Sequence, residues 1–138
     1  MVFLQKREDK VAYLKGMVLL AKADGRIEKS EVEYINAAVV GMGLDESEKK
    51  EIDVMWNDEG ECLIEFSDKA NAAFFVQEAL QLAYIDGNYD EKERIMIYSL
   101  GERIGLVKDE VKRIEAWVEE GVQWKKRGEI LIEEIAGE

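Results

Sequence analysis

The residues with chemistry to offer are carboxylates, and they come in two matched sets. Leu20-Ala21-Lys22-Ala23-Asp24-Gly25-Arg26-Ile27-Glu28 through Glu31 aligns without a gap with Leu82-Ala83-Tyr84-Ile85-Asp86-Gly87-Asn88-Tyr89-Asp90 through Glu93, at a shift of 62 positions from Asp24 to Asp86. Each set reads as the end of a helix, an Asp-Gly turn and the start of the next helix. Each puts an Asp before the turn (Asp24, Asp86), an acid where the next helix begins (Glu28, Asp90) and a Glu three residues on (Glu31, Glu93). Oxygen donors in such numbers suit a hard divalent cation, calcium, magnesium or manganese, rather than copper.

Two readings compete for these acids. Glu28, Glu31, Asp90 and Glu93 stand where helix caps and first-turn acids stand, and capping accounts for them without any function. Asp24 and Asp86 fit that account less well. A negative charge at a helix C-terminus opposes the dipole by roughly 0.3–1 kcal/mol, and the same unfavourable acid in both copies favours a cation as the compensating charge. An Asx turn is the structural alternative. Asp24, Gly25, Ile27 and Glu31 match the second half of an EF-hand loop, and so do Asp86, Gly87 and Glu93. The first half fails, because Leu20 and Lys22, or Leu82 and Tyr84, stand where its acids belong. The expectation is therefore one shared site, with carboxylates from both copies converging.

Composition removes other chemistries. Histidine is absent and Cys62 is the lone cysteine, so Ser-His-Asp and Cys-His catalysis and the usual zinc sites drop out. With no phosphate loop or nucleophile motif either, the expectation is not an enzyme. A net charge of −12 repels phosphate backbones and anionic lipids, so no nucleic acid and no direct membrane insertion are expected. Cations and basic protein surfaces are the natural counterparts. One cysteine forbids an internal disulfide, no signal peptide is evident, and a cytoplasmic location is expected.

The elements that hold the two turns are helices. Proline is absent and Glu, Lys, Ala and Leu dominate, which predicts an all-α chain. Apolar spacing predicts helices over about Arg7 to Ala23, Glu28 to Gly41, Asp45 to Trp56, Ser67 or Asp68 to Ile85, and Asp90 to Arg103. A last helix starts near Lys108 and either continues as one or breaks near Gly121. The helix ending at Ile85 is apolar all round and is expected to be the central, most buried one. The irregular link from Asn57 to Phe66 holds a turn cluster, Asn57-Asp58-Glu59-Gly60, and a brief extended piece over Cys62-Leu63-Ile64. The 62-residue shift keeps matching beyond the turns: Ile35 with Ile97, Gly43 with Gly105, Leu44 with Leu106, Glu48 with Glu110 and Ile52 with Ile114. Residues 11–52 and 73–114 therefore read as two copies of one three-helix unit. The expected fold is an all-α single domain over 1–138, a pseudo-two-fold bundle of about six or seven helices with a helical tail over 115–138.

At the paired turns the chain resembles the TerB family, the tellurite-resistance-associated proteins and their relatives. The hallmark is a helix ending in apolar-Ala-x-Ala-Asp-Gly, then an acid-rich helix start ending in Glu, repeated once; the resemblance covers about residues 8–118. It implies a TerB-like helical fold and a non-enzymatic role in stress response, with divalent metal held by Asp24, Glu31, Asp86 and Glu93, and with Glu28 and Asp90 as second choices. Related domains sit beside membrane-associated and DnaJ-type co-chaperone proteins, which implies an adaptor with protein partners. The departures are Ile85, where a small residue is usual, and the Trp-rich tail from Trp117.

Ile114, Trp117, Gly121, Trp124, Gly128, Leu131 and Ile135 recur at alternating three- and four-residue steps. The expectation is that this stripe covers the domain's own core; the alternative is a docking seam or a homodimer through the C-terminal helix. Cys62 is expected to be a small buried apolar residue, and the acidic run from Asp45 to Asp53 a solvated helix face.

Overall fold

The computed structural model describes residues 2–23, 25, 27–57, 64–85, 87 and 89–138. Among them are six helices and no strand: α1 (Arg7–Lys22), α2 (Lys29–Gly41), α3 (Glu46–Asn57), α4 (Lys69–Ile85), α5 (Glu91–Arg103) and α6 (Lys108–Gly137). The turn cluster over 58–60, with Cys62 and Leu63, lies outside the described residues. Ile64 is buried in the core without joining a strand.

Local chemistry sets the corners. After α2 the chain turns at Gly43 (φ +71), and after α5 at Gly105 (φ +105), a left-handed conformation that glycine adopts without a Cβ clash. The Gly43 N–H donates to Val40 O at 3.0 Å and the Leu44 N–H to Val39 O at 3.1 Å. Gly105 donates to Glu102 O at 3.2 Å and Leu106 to Gly101 O at 2.9 Å. Both are Schellman stops, which satisfy the last carbonyls of the helix and drop a leucine back onto it.

The helix that follows each stop carries a glutamate at its third position, Glu48 in α3 and Glu110 in α6. In α3, Asp45 and Glu48 form a complete capping box, with Glu48 N–H to Asp45 Oδ1 and Asp45 N–H to Glu48 Oε1 both at 2.9 Å. In α6, Val107 has no acceptor to offer, and the Glu110 carboxylate accepts from the Val107 N–H at 2.9 Å. Each glutamate also meets a cation from the first helix of its half. Glu48 pairs with Arg7, and Glu110 pairs with Lys69 at 2.7 Å.

The core lies between α1 and α4. Leu14, Val18, Phe75, Val76 and Leu80 are almost wholly withdrawn from water, and Ile52, Ile97 and Val111 close over them from α3, α5 and α6. Such side chains stabilise the fold by roughly 1.5–3 kcal/mol each. Gly16 lets the two central helices meet, since a Cβ there would lie 2.4 Å from Phe75 Cζ. Centrality is thus shared rather than held by α4 alone. Nine residues of α1 are buried, against seven of α4, and Leu82 and Ile85 on α4 face solvent. Lys10 and Lys15 disguised this in the sequence; Lys10 lays its stem along the fold and donates to Met42 O at 3.3 Å.

A second pair of contacts crosses between the halves. Asp9, buried on α1, accepts from the Ser67 N–H at 2.7 Å and the Ser67 hydroxyl at 2.5 Å, just before α4. Asn71, buried on α4, accepts from the Leu4 N–H at 2.8 Å, just before α1. Asp9 and Asn71 are themselves 62 positions apart.

The tail differs from expectation. α6 is one continuous helix of 30 residues, about 45 Å long at 1.5 Å per residue, with no break at Gly121. Only Val111 and Val118 on it are buried. From residue 119 to 138 every residue is exposed except the half-buried Val122. The stripe from Trp117 onward therefore does not cover the domain's own core, because the globular part ends beside Val118 and the helix runs past it. Among the described residues no helix is long and apolar enough to cross a membrane.

Candidate functional site

Described residues flanking both acidic turns line one cleft. It has a volume of about 520 Å³ and lies where the C-terminal ends of α1 and α4 meet the N-terminal ends of α2 and α5. Glu28 and Glu31 line it from the first turn and Glu93 from the second. Its floor is apolar, with Met17 and Leu20 from α1 and Ala79 and Ala83 from α4. These helix ends thus bring Glu31 and Glu93, 62 positions apart in the chain, to one concave surface over an apolar base.

The acids also serve the helices. Glu31 Oε1 accepts from the Glu28 N–H at 3.2 Å, the N3-to-N-cap half of a capping box. Asp90 Oδ1 accepts from the Glu93 N–H at 2.9 Å and caps α5. Asp90 does not line the cleft. Asp24 and Asp86 lie outside the described residues. Among the described residues no three carboxylate or thiol side chains are grouped closely enough to hold an ion. Glu31 and Glu93 line the cleft from two helices and by themselves offer fewer oxygens than the six to eight that calcium takes.

Two residues of this surface had escaped notice in the sequence. Ser30 and Tyr34 line the same cleft. Tyr34 lies one helical turn beyond Glu31 on α2 and is more than half exposed, and that spacing from an acid of interest was the available signal.

A different polar cluster stands where α5 meets α6. The Glu115 carboxylate accepts from Arg94 Nε at 3.0 Å, from the Tyr98 hydroxyl at 2.8 Å and from the Tyr89 hydroxyl. Arg94 also lies over the Tyr98 ring, 4.7 Å from its centroid. Burial pushes Glu115 up, but the hydrogen bonds from Tyr89, Arg94 and Tyr98 outweigh it and hold the carboxylate below its ordinary value. Burial and the same carboxylate push the Tyr89 hydroxyl far above its ordinary value. Beside it, the Tyr84 hydroxyl donates to Glu119 at 2.7 Å. The cluster fixes the direction in which α6 leaves the globular part; its tyrosines keep their protons and its arginine is paired, so it serves to orient rather than to react. Set against protein-family models, curated proteins and solved structures, the chain finds no match.

Proposed function

We propose that the chain is a non-enzymatic TerB-like stress-response module whose paired acidic turns share a divalent cation and which scaffolds protein partners in the cytoplasm. The observation that carries this reading is the common cleft: Glu31 and Glu93, equivalent residues of the two turns, line the same cavity. Had the turns faced opposite sides of the molecule, each acid would serve its own helix and nothing more. The duplicated TerB-like unit draws support from contacts that recur at the 62-residue shift. These are the ion pairs Arg7–Glu48 and Lys69–Glu110, the stops at Gly43 and Gly105, and the buried Asp9 and Asn71.

The ligands of the proposed ion are Asp24, Glu31, Asp86 and Glu93, with Glu28 nearby and Asp90 committed to its cap. Calcium, magnesium and manganese suit this all-oxygen set. Titration calorimetry with each ion tests the proposal. Heat of binding that vanishes in Asp24→Asn/Asp86→Asn supports it. No heat, and no shift of melting temperature at about millimolar metal, refutes it, since a ligand that binds only the folded state must raise its stability.

A second reading, a metal-independent adaptor, is favoured by the exposed tail with Trp117 and Trp124. It predicts partner capture that is sensitive to salt or to removal of the tail and indifferent to chelator.

A further inference from the structure

Beyond the Tyr84–Glu119 hydrogen bond and the half-buried Val122, residues 119–138 of α6 stand clear of their own fold, yet they carry the apolar pattern of a buried helix. Trp124 is 71% exposed and Trp117 53%, with Leu131 and Ile135 more than half exposed on the same stripe. The stripe recurs at alternating three- and four-residue steps from Ile114 to Ile135, the spacing that keeps one seam facing a partner helix. We propose that a second copy of this chain docks here, the two α6 helices lying antiparallel as a two-stranded coil.

Side-chain size selects the direction. An antiparallel register centred between Val122 and Gln123 sets Ile114 against Leu131, Trp117 against Gly128, and Gly121 against Trp124 of the other copy. Every indole then meets a glycine, so a large knob fills the space left by an absent side chain. A parallel pair would stack Trp on Trp and Gly on Gly, crowding two layers and leaving two empty.

Charge selects the same direction. Arg113, Glu120, Arg127 and Glu134 flank one side of the stripe. In the antiparallel register Arg113 faces Glu134 and Glu120 faces Arg127, all opposite in sign, and each pair occurs twice in the dimer. In a parallel pair these residues would face Val118, Lys125 and Ile132 of the opposite flank, and only Glu120 with Lys125 would attract.

The surface continues onto the globular part. A groove between α4 and α6 is lined by Ala70, Ala73, Leu106, Ile114 and Trp117. The same register lays Leu131 and Ile135 of the other copy along it. The four α6 tryptophans of the dimer, Trp117 and Trp124 from each copy, would contribute on the order of 600 Å² of buried surface. With the aliphatic residues and the groove, the interface enters the range of roughly 1,200–2,000 Å² that stable complexes bury. A lipid surface is the poorer occupant, since Glu119, Glu120, Glu129, Glu133 and Glu134 would meet anionic headgroups. The proposal holds whether or not the acidic turns bind metal.

Sedimentation equilibrium of the full chain tests it, with variants confined to the exposed tail. Glu120→Arg sets like charges together at both symmetric positions and weakens the dimer about tenfold. Adding Arg127→Glu in the same chain restores the pairs in the antiparallel register only, and brings affinity back near the unsubstituted value. Trp124→Ala empties two layers and weakens the dimer ~100-fold. A chain monomeric at about 100 μM overturns the proposal. So does a dimer indifferent to Glu120→Arg, or one that Arg127→Glu fails to restore, which would indicate a parallel pair. A monomer that binds phosphatidylcholine vesicles through the tail would assign the stripe to lipid instead.

Discussion

Glu48 at the start of α3 and Glu110 at the start of α6 do the same two things. Each accepts from the backbone N–H three residues before it, and each pairs with a cation at the start of an earlier helix, Arg7 or Lys69. Both helices then pack on the long helix of their own half, α3 on α1 and α6 on α4. There the likeness ends. α3 stops at Asn57 after 12 residues, whereas α6 runs for 30. The fold's own requirement is met by the shorter length, because beyond Val118 only Val122 of α6 is even half-buried. Shared chemistry thus fixes the way a helix begins, while its extent answers to something outside the fold. The Glu115 cluster, at the point where the extra length begins, is the other contrast: Asp53 stands at the corresponding position and, among the described residues, pairs with Lys49 at 2.7 Å, both side chains partly exposed.

The largest contrast between halves is expected at the two buried polar residues. Asp9 brings a carboxylate with two donors from Ser67, and Asn71 a neutral amide with one donor from Leu4 and its own Nδ2–H donated to Asp68 at 2.8 Å. Removing either strands a backbone N–H, and hydrogen bonds to a charged acceptor are about twice as strong as neutral ones. Asp9→Ala is expected to lower unfolding free energy by about 3 kcal/mol and Asn71→Ala by about 1–2 kcal/mol. Urea titrations of both variants measure this. Equal losses would show that the charge at Asp9 adds nothing over an amide.

A smaller contrast lies in the third helices and depends on pH. The folded protein holds Glu115 below its usual value of 4.5. Its contribution is fully present above the unfolded value and is lost as pH falls through the lower folded one. Glu115→Gln should therefore cost about 1–2 kcal/mol at neutral pH, and the gap to the unsubstituted protein should close as pH drops below about 4. Asp53→Asn, in the corresponding place on α3, should cost less at every pH, since its pair with Lys49 is exposed to solvent. Melting curves between about pH 3 and 7 decide it. A gap for Glu115→Gln that does not narrow with acid would mean that the lost stability came from packing rather than from the charge.

These contrasts also show where the sequence was legible. The helix ends could be read because glycine stops and acid caps are local: Gly43, Gly105, Asp45 and Asp90 each act within a few residues of themselves. The five bounded spans came out within two residues of the observed ones, and the sixth helix starts at Lys108 as expected. The cleft was half legible. The repeat paired Glu31 with Glu93, but Ser30 and Tyr34 join them only through the packing of α2 against α1, which periodicity does not report. The Glu115 cluster was not legible at all, since it gathers residues from α5, α6 and the segment between α4 and α5 with no spacing rule among them. The tail was misread for a different reason. A stripe at three- and four-residue steps looks the same whether its own core or another chain covers it, and only the position of the globular boundary beside Val118 separates the two.

The smallest expected effect concerns that boundary. Truncation after Glu120 removes a length of helix that buries nothing within its own chain, so the isolated fold should lose no more than about 0.5 kcal/mol. Association changes what is measured. A dimer that forms only from folded chains raises apparent stability by mass action, so the melting temperature of the full chain should climb with protein concentration. The truncated chain has no such term, and its melting temperature should stay level over the same range. Scanning calorimetry across a hundredfold span of concentration, about 1 to 100 μM, separates the two contributions. At the dilute end both chains should melt together, because the fold they share is complete at Val118. A truncated chain that melts well below the full one even when dilute would mean that the exposed helix stabilises its own domain, and α3 and α6 would then differ in what they do for the fold and not only in how far they run.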